Sequence, residues 1–287
     1  MNSFSATSKG LFATIKWLVS CLFLLGNLHA VIPSIGQSMA GDWLVDGKSL
    51  PAEIVQLNPK EIQLRNGLVQ RTFFLSPSPA CYDLTNLMTG AQLLRTVMPE
   101  ARVTLNGKTY EIGAKLDFKE KGYFKKEWLS LLKTEEGSFA YQGYTLSKIT
   151  PHFPTKNQFW TGQKEQASGQ KITFSYAHPE FQGLLLQVHY EIYDNLPLIG
   201  KYLTMENQGN TSIHIDQVVN EILGTVEEES AVVGATKDLN KPHQLYVENN
   251  FAFNNAMHAE LSAQATHWKQ DSSYTSQVNY NYQTPST

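Results

Sequence analysis

Several stretches of the chain alternate in character with a period of two, the spacing of side chains on one face of a β-strand. The clearest stretch is Leu184–Tyr193, where Leu184, Leu186, Val188, Tyr190 and Ile192 alternate with Leu185, Gln187, His189, Glu191 and Tyr193. This pattern predicts a strand with one apolar and one mixed face. Comparable stretches are punctuated by Gly, Asn and Pro. The chain is therefore predicted to be all-β and antiparallel, with two large packed sheets.

Helical periodicity is scarce, so only short helices are expected. Lys126–Lys133 (KEWLSLLK) has the composition of one short helix. Asp83–Leu94 is interpreted as a loop that contains a helical turn. The segment Asn207–Asn210 (NQGN) predicts a turn that leads from one strand into the next.

Two Asn-Gly pairs predict tight hairpins, because a type I′ turn needs positive φ at both central residues. One is Asn106-Gly107, between VTL and TYEI. The other is Asn66-Gly67, within EIQLRNGLVQRTFFL. A two-residue turn there would pair Leu64 with Val69, Ile62 with Arg71 and Glu61 with Thr72.

Arg71 is the unusual residue of that first hairpin. It shares a face with Ile62, Leu64, Val69 and Phe73, and it is the only charge there. A buried arginine is rarely left without a partner. We therefore expect Arg71 to be at least half buried and bound to a carboxylate or backbone carbonyls, or to point at a partner domain. It is also a weak candidate for substrate binding.

The first forty residues have the pattern of a secretory signal. Lys9 and Lys16 precede the apolar stretch WLVSCLFLLGNL, which is too short to span a bilayer. Cleavage is predicted after Ala40, with Ala30 as the alternative site. A lipoprotein site at Cys21 is the weaker interpretation. The organisation is thus a signal peptide over 1–40 and a β domain over 41–287, exported to the periplasm or the extracellular space.

Composition excludes several partners and sources of stability. After removal of the signal only Cys81 remains, so the mature chain has no internal disulfide and depends on a hydrophobic core. The net charge is −3, with acidic and basic residues interspersed. Neither nucleic acid nor a membrane surface is expected to bind the mature form. A homo-oligomer is left open.

Motifs for known chemistries are weak. The histidines lack His-x-x-x-His or His-x-His spacing, and neither a phosphate-binding loop nor a Gly-x-Ser-x-Gly elbow occurs, so neither a metal nor a cofactor is expected. His189 and Glu191 share the mixed, half-exposed face of one strand, where general acid–base work is conceivable but a solvated sheet face is the simpler interpretation.

Aromatic residues in a Pro-rich stretch offer a second weak site. Phe153, Phe159 and Trp160 lie in TPHFPTKNQFWTG, with Tyr141 and Tyr144 upstream. Phe159 and Trp160 are candidates for binding a carbohydrate or a neighbouring domain. The alternative is that these rings close the ends of the sandwich.

Five segments in order resemble a known family. They are RNGLVQRTF, LLRTVMPEARVTLNGKTYEIG, VHYEIYDNLPLIGKYLTMENQG, LYVENNFAF and SYTSQVNY. Together they resemble the N-terminal region of α-galactosidase-like enzymes of glycoside hydrolase family 36. The resemblance implies a β-supersandwich similar to galactose mutarotase, which precedes a (β/α)8 barrel and a smaller C-terminal β domain.

The resemblance also implies that the catalytic residues lie elsewhere. Retaining glycosidases need two carboxylates about 5 Å apart, and in this family both lie at the ends of barrel strands, the nucleophile in a Lys-x-Asp pattern. Lys115-Leu116-Asp117 is the one match considered, but it lacks the strand–helix context of a barrel. No catalytic residue is therefore predicted in this chain, and Asp117 is expected to be a surface residue.

Two functions from different classes follow. The first is a non-catalytic domain that braces the barrel of an exported α-galactosidase-like hydrolase, with this chain as the front part of a longer protein. The second is a free-standing carbohydrate-binding or aldose-epimerase-like sandwich. The sugar linkage that a parent enzyme would cut is not predicted.

Overall fold

A computed structural model describes residues 44–45, 47–117, 124–150, 167–225 and 245–247, all within the compact unit Ser38–Thr287. The predicted signal segment 1–40 lies outside the described residues. No helix in the described part is long and apolar enough to cross a membrane. The strands are β1 Glu53–Asn58, β2 Glu61–Arg65, β3 Val69–Phe74, β4 Ala80–Asn86, β5 Ala91–Gln92, β6 Leu94–Thr96, β7 Ala101–Leu105, β8 Lys108–Ile112, β9 Ala140–Lys148, β10 Gly169–Ala177, β11 Leu184–Tyr193, β12 Ile199–Asn207, β13 Ile215–Val219 and β14 Gly224–Thr225.

The strands form antiparallel sheets, which confirms the predicted all-β class. A five-stranded sheet has the order β1-β2-β3-β4-β5, and a four-stranded sheet has the order β12-β11-β10-β9. Smaller sheets have the orders β13-β7-β8 and β14-β6 in the described part of the chain. Its architecture is that of a sandwich. The likeness to galactose mutarotase stays a prediction.

The core lies between the five-stranded and four-stranded sheets. Strand β11 has the bounds predicted from its alternation, and its five alternating apolar residues are all buried. Phe73 of β3 packs against Phe174 of β10 and Tyr190 of β11, with ring centroids 5.2 and 4.7 Å apart. The face of the five-stranded sheet that carries Arg71 and Phe73 is called the inner face below.

The opposite, outer face of the same sheet is covered at one end. A 3-10 helix, Lys126–Leu131, lies within the stretch predicted to be a short helix. Its Leu129 joins a second apolar cluster with Ala80, Tyr82 and Val97. Because both faces are covered here, β2 is buried at four consecutive positions, including the polar Glu61 and Gln63.

The two Asn-Gly hairpins differ, and one predicted register is wrong. Asn106 and Gly107 both have positive φ, +50° and +79°, and join β7 to β8 as the predicted two-residue turn. At the first hairpin only Gly67 has positive φ, +80°. There Leu64 pairs with Arg71 and Ile62 with Phe73, and four residues, Asn66–Val69, lie between the last pair across the hairpin, Arg65 and Gln70.

The cause of this difference is the Asn66 side chain. Its Oδ1 accepts hydrogen bonds from the backbone N–H of Leu68 and of Val69, both at 3.1 Å. These bonds hold a wider turn than the type I′ turn. The register shifts by two residues, so every side chain keeps its face and Arg71 stays with Ile62, Leu64 and Phe73.

Three local predictions need correction or comment. Asp83–Asn86 belongs to strand β4 rather than a loop, and the turn is confined to Leu87–Gly90. Tyr141 and Tyr144 lie on β9 and pack on the core instead of forming a loop surface. The turn after Asn207 is confirmed, since β12 ends at that residue.

Candidate functional site

A cluster of charged side chains lies between the two large sheets, and Arg71 is its centre. Arg71 is 3% exposed, as its position on an apolar face predicted. Its Nη1 and Nη2 donate to the two carboxylate oxygens of Glu221 at 2.7 and 3.2 Å. Nη2 also donates to the Tyr190 hydroxyl at 3.3 Å. The bidentate geometry gives the charge-assisted pairing that a buried guanidinium requires.

Glu100 and Lys201 complete this inner cluster, which comprises Arg71, Glu100, Tyr190, Lys201 and Glu221. Lys201 Nζ donates to Glu221 Oε1 at 2.8 Å and to the backbone oxygen of Glu100. Glu100 Oε1 accepts from the backbone N–H of Cys81 at 2.6 Å, and its Oε2 accepts from the Tyr190 hydroxyl. Two cations therefore face two carboxylates.

The ring of Tyr190 lies beside both cations. Arg71 Cζ is 4.5 Å from the ring centroid and Lys201 Nζ is 4.9 Å from it. Cation–π attraction is strongest where water is excluded. The ring thus stabilises the two charges against each other's repulsion.

In the inner cluster, burial and the neighbouring opposite charges shift the pKa values in opposing directions. Burial alone would raise the pKa of Glu221, but Arg71 and Lys201 hold it below its usual value. Burial lowers the pKa of Lys201, against the opposing effect of Glu221 and Glu100. Burial raises the pKa of the neighbouring Cys81 thiol to about 12, so this cysteine is not a nucleophile at neutral pH. Every charge in the cluster is engaged with another.

Access to this cluster is restricted. The Glu221 side chain is 25% exposed, whereas Arg71, Glu100 and Lys201 are 6% or less. A substrate could reach Glu221 but not the groups behind it.

The outer face of the five-stranded sheet carries polar side chains in two rows. One row places Glu53, Arg65, Gln70, Thr85 and Gln92 opposite one another, one residue from each strand. The next row begins at the apolar Val55 and continues through the polar residues Gln63, Thr72 and Asp83. Directly opposed side chains on a sheet face are close enough to interact.

Asp83 organises this outer polar face. Its Oδ2 accepts from Gln70 Nε2 at 2.7 Å and from Thr72 Oγ1 at 3.1 Å. Its Oδ1 accepts from Thr85 Oγ1 at 2.7 Å and from Gln92 Nε2 at 3.1 Å. Four donors satisfy one carboxylate, so the surrounding amides and hydroxyls have fixed orientations.

A cleft of about 450 Å³ opens where the outer face meets the first hairpin. It is lined by Leu50, Pro51, Glu53, Arg65, Asn66, Gly67, Gln70 and Leu87. The cleft therefore combines three apolar side chains with the first members of the polar row.

Of the predicted site residues, Arg71 lies in the inner cluster, where it links β3 of the five-stranded sheet to Tyr190 of the four-stranded sheet. Phe159 and Trp160, like Phe153, lie outside the described residues. Asp117 is exposed, and Lys115 is bound to Glu111. Asp117 is thus the surface residue that was predicted.

The prediction that His189 and Glu191 lie on a half-exposed face is wrong. His189 is 7% exposed and Glu191 is 1% exposed. The two ring nitrogens of His189 contact the hydroxyls of Thr173 and Thr204, each at 2.8 Å, and its ring stacks on Tyr202 at 4.3 Å. This environment holds the imidazole in a fixed position.

Sequence reasoning missed most of both polar sites. The position of Arg71 on an apolar face required a buried carboxylate partner, but Glu100 and Glu221 carry no local signal that identifies them. Asp83 was hidden because its segment was interpreted as a loop. Within the described part of the chain, no group of three or more His, Cys, Asp or Glu residues could hold a metal ion.

Comparison with known proteins leaves the family undetermined. No family model matches the chain, and neither a curated protein nor a solved structure does. The resemblance to family 36 glycoside hydrolases therefore stays a prediction.

Proposed function

We propose that this chain is a non-catalytic N-terminal domain of an exported α-galactosidase-like glycoside hydrolase. In this role the sandwich packs against a (β/α)8 barrel and braces it. The catalytic carboxylates belong to the barrel, and the barrel is the principal partner. The five ordered segments of the sequence and the sandwich architecture support this proposal.

The observation that carries the proposal is the pairing within the inner cluster. Hydrolysis of a glycosidic bond requires one carboxyl group that gives up a proton and a second that attacks or activates water. Glu100 and Glu221 instead have fixed donors, and the guanidinium of Arg71 contacts both. A carboxylate held in this way contributes to the architecture of the domain rather than to proton transfer.

The second candidate is a free-standing carbohydrate-binding or aldose-epimerase-like sandwich. The polar rows of the outer face favour its binding form, because their amides and hydroxyls are already oriented. The epimerase form is disfavoured by His189, since both ring nitrogens contact threonine hydroxyls. A general base needs a ring nitrogen within reach of its substrate.

Enzyme assays of the purified chain test the proposal. We expect no release of nitrophenol from p-nitrophenyl α-galactoside and no acceleration of galactose mutarotation in a polarimeter. Turnover that disappears in Asp117→Asn or in Glu221→Gln would overturn the proposal and place an active site in the sandwich. His189→Gln is the matching variant for the mutarotation assay.

The gene offers an independent measurement. A reading frame that continues past the codon for Thr287 into a barrel supports the bracing domain. A stop codon directly after it favours the free-standing sandwich.

A further inference from the structure

The cleft at the end of the outer face contains side chains that are oriented by one hydrogen-bonding contact and have a second polar atom without a partner among the described residues. Arg65 Nε and Nη2 both donate to Glu53 Oε2, at 3.2 and 3.1 Å. Gln70 Nε2 is bound to Asp83. Each of these three cleft residues is thus anchored through one part of its polar group.

The other part of each polar group is available. Within the described ranges, Arg65 Nη1, Glu53 Oε1 and Gln70 Oε1 make no hydrogen bond to the protein. Arg65 Nη1 is a hydrogen-bond donor, and Glu53 Oε1 and Gln70 Oε1 are acceptors. Groups that are already oriented lose little conformational entropy when a ligand binds.

The backbone around the cleft is fixed by contacts between distant segments. Asn66 Nδ2 donates to the backbone oxygens of Tyr193, at 2.7 Å, and Leu196, at 2.5 Å. The backbone of Leu50 exchanges hydrogen bonds with Asn195, through the side-chain oxygen at 2.6 Å and the backbone N–H at 2.9 Å. These bonds hold the hairpin turn and the segment before β1 in place. The cleft is therefore preformed.

We propose that this cleft binds a neutral polyhydroxylated ligand, namely a sugar unit. A hydroxyl group both donates and accepts, and so it can satisfy Arg65 Nη1, Glu53 Oε1 and Gln70 Oε1 alike. The charges of Glu53 and Arg65 sum to zero. An anion would be repelled by the carboxylate of Glu53, and a cation would be repelled by the guanidinium of Arg65. Leu50, Pro51 and Leu87 offer apolar surface to the C–H groups of the ring.

The polar row that begins with Glu53 and Arg65 extends the site beyond the cleft. From the cleft it continues over β4 and β5 through Thr85 and Gln92. Neighbouring strands are about 4.8 Å apart, so a row across five strands is roughly 19 Å long. A short oligosaccharide lies along this row with one unit in the cleft. This site rests on the second candidate function, the carbohydrate-binding sandwich, and names the surface that holds its ligand; a domain that only braces a barrel needs no ligand of its own.

Saturation-transfer NMR on the full chain tests the site. The probes are galactose, glucose and maltotriose, with galacturonate and glucosamine as charged counterparts. We expect saturation transfer to the neutral sugars, with maltotriose binding more tightly than glucose. Binding is expected in the millimolar range, because the cleft is open.

Two variants locate the binding. Arg65→Met removes the donor of the cleft and should weaken maltotriose binding at least tenfold. Arg102→Met is the matched control, since Arg102 is also a partly exposed arginine paired with a glutamate on the neighbouring strand. It should leave binding unchanged.

Three results would overturn the proposal. They are the absence of saturation transfer at 50 mM of each sugar, equal weakening by both variants, and tighter binding of a charged probe than of the neutral sugars. None of them bears on the bracing role, which is tested by the enzyme assays and the gene. Thermal melts of both variants, expected to stay within about 2–4 °C of the parent chain, exclude unfolding as the cause of lost binding.

Discussion

The inner and outer faces of the five-stranded sheet provide partners for their polar side chains in different ways. On the inner face, full charges are enclosed between two sheets and neutralise one another. On the outer face, Asp83 accepts hydrogen bonds from Gln70, Thr85 and Gln92, which remain within reach of solvent, and from the buried Thr72. Strand β3 contributes to both, because Arg71 points inward while Gln70 and Thr72 point outward.

This difference indicates what each face can do. Removing one partner of an enclosed ion pair leaves an uncompensated charge, so we expect single substitutions in the inner cluster to be strongly destabilising. A half-exposed hydrogen bond is exchanged for water at little cost. The outer face can therefore accept changes and ligands that the inner face cannot.

The largest expected effect comes from Arg71→Met. Loss of the guanidinium leaves Glu221 with one cation and Glu100 with none, and should lower the free energy of unfolding by about 3–5 kcal/mol. Urea denaturation followed by circular dichroism measures this. Arg65→Met, in the exposed pair of the outer face, should cost about 0–1 kcal/mol. Equal losses in the two variants would remove the distinction between the faces.

A smaller effect should appear on acidification. The pKa of Glu221 is lowered in the folded protein by Arg71 and Lys201, against the opposing effect of burial. Its stabilisation is therefore fully present above the unfolded pKa of about 4.3 and is lost as the pH falls through the folded pKa. Urea midpoints between pH 3 and pH 7 should decrease on the acidic side.

The control for this pH dependence is Glu221→Gln. Glu111, Asp194 and Asp216 also have lowered pKa values, so part of the acid sensitivity belongs to them. The variant should be less stable than the parent at pH 7, and its stability should change less below pH 5. An unchanged pH profile would mean that Glu221 does not contribute to the acid response.

The smallest effect should come from Thr85→Val on the outer face. It removes one of four donors to Asp83 and keeps the shape of the side chain. The expected loss is about 0.5–1.5 kcal/mol, because a typical hydrogen bond contributes this much. Urea denaturation again provides the measurement. A loss close to that of Arg71→Met would show that the outer network is as necessary for folding as the inner cluster.

The sequence predicted what depends on local patterns. The alternation in Leu184–Tyr193 placed β11 correctly, and the apolar neighbours of Arg71 predicted its burial. The first hairpin register was wrong because the side chain of Asn66 bonds to the backbone two and three residues ahead, which the Asn-Gly pair alone does not reveal. Even so, the shift of two residues preserved the faces.

The partners of Arg71 could not be predicted for a different reason. Glu100, Tyr190, Lys201 and Glu221 are brought together by the pairing of strands that are distant in the sequence. Only the packing of one sheet on another selects these residues from the other acidic and basic residues. The same limit applies to the mixed face of β11, where alternation predicts half exposure but His189 and Glu191 are covered.

The wide spacing of these partners has a consequence for the synthesis of the chain. Glu221 follows Arg71 by 150 residues. A ribosome that adds about 5–20 residues per second needs roughly 8–30 s to cover this distance. During this time the guanidinium of Arg71 on the first hairpin lacks its partner Glu221. The ion-pair cluster between the two large sheets is therefore incomplete until Glu221 has been synthesised.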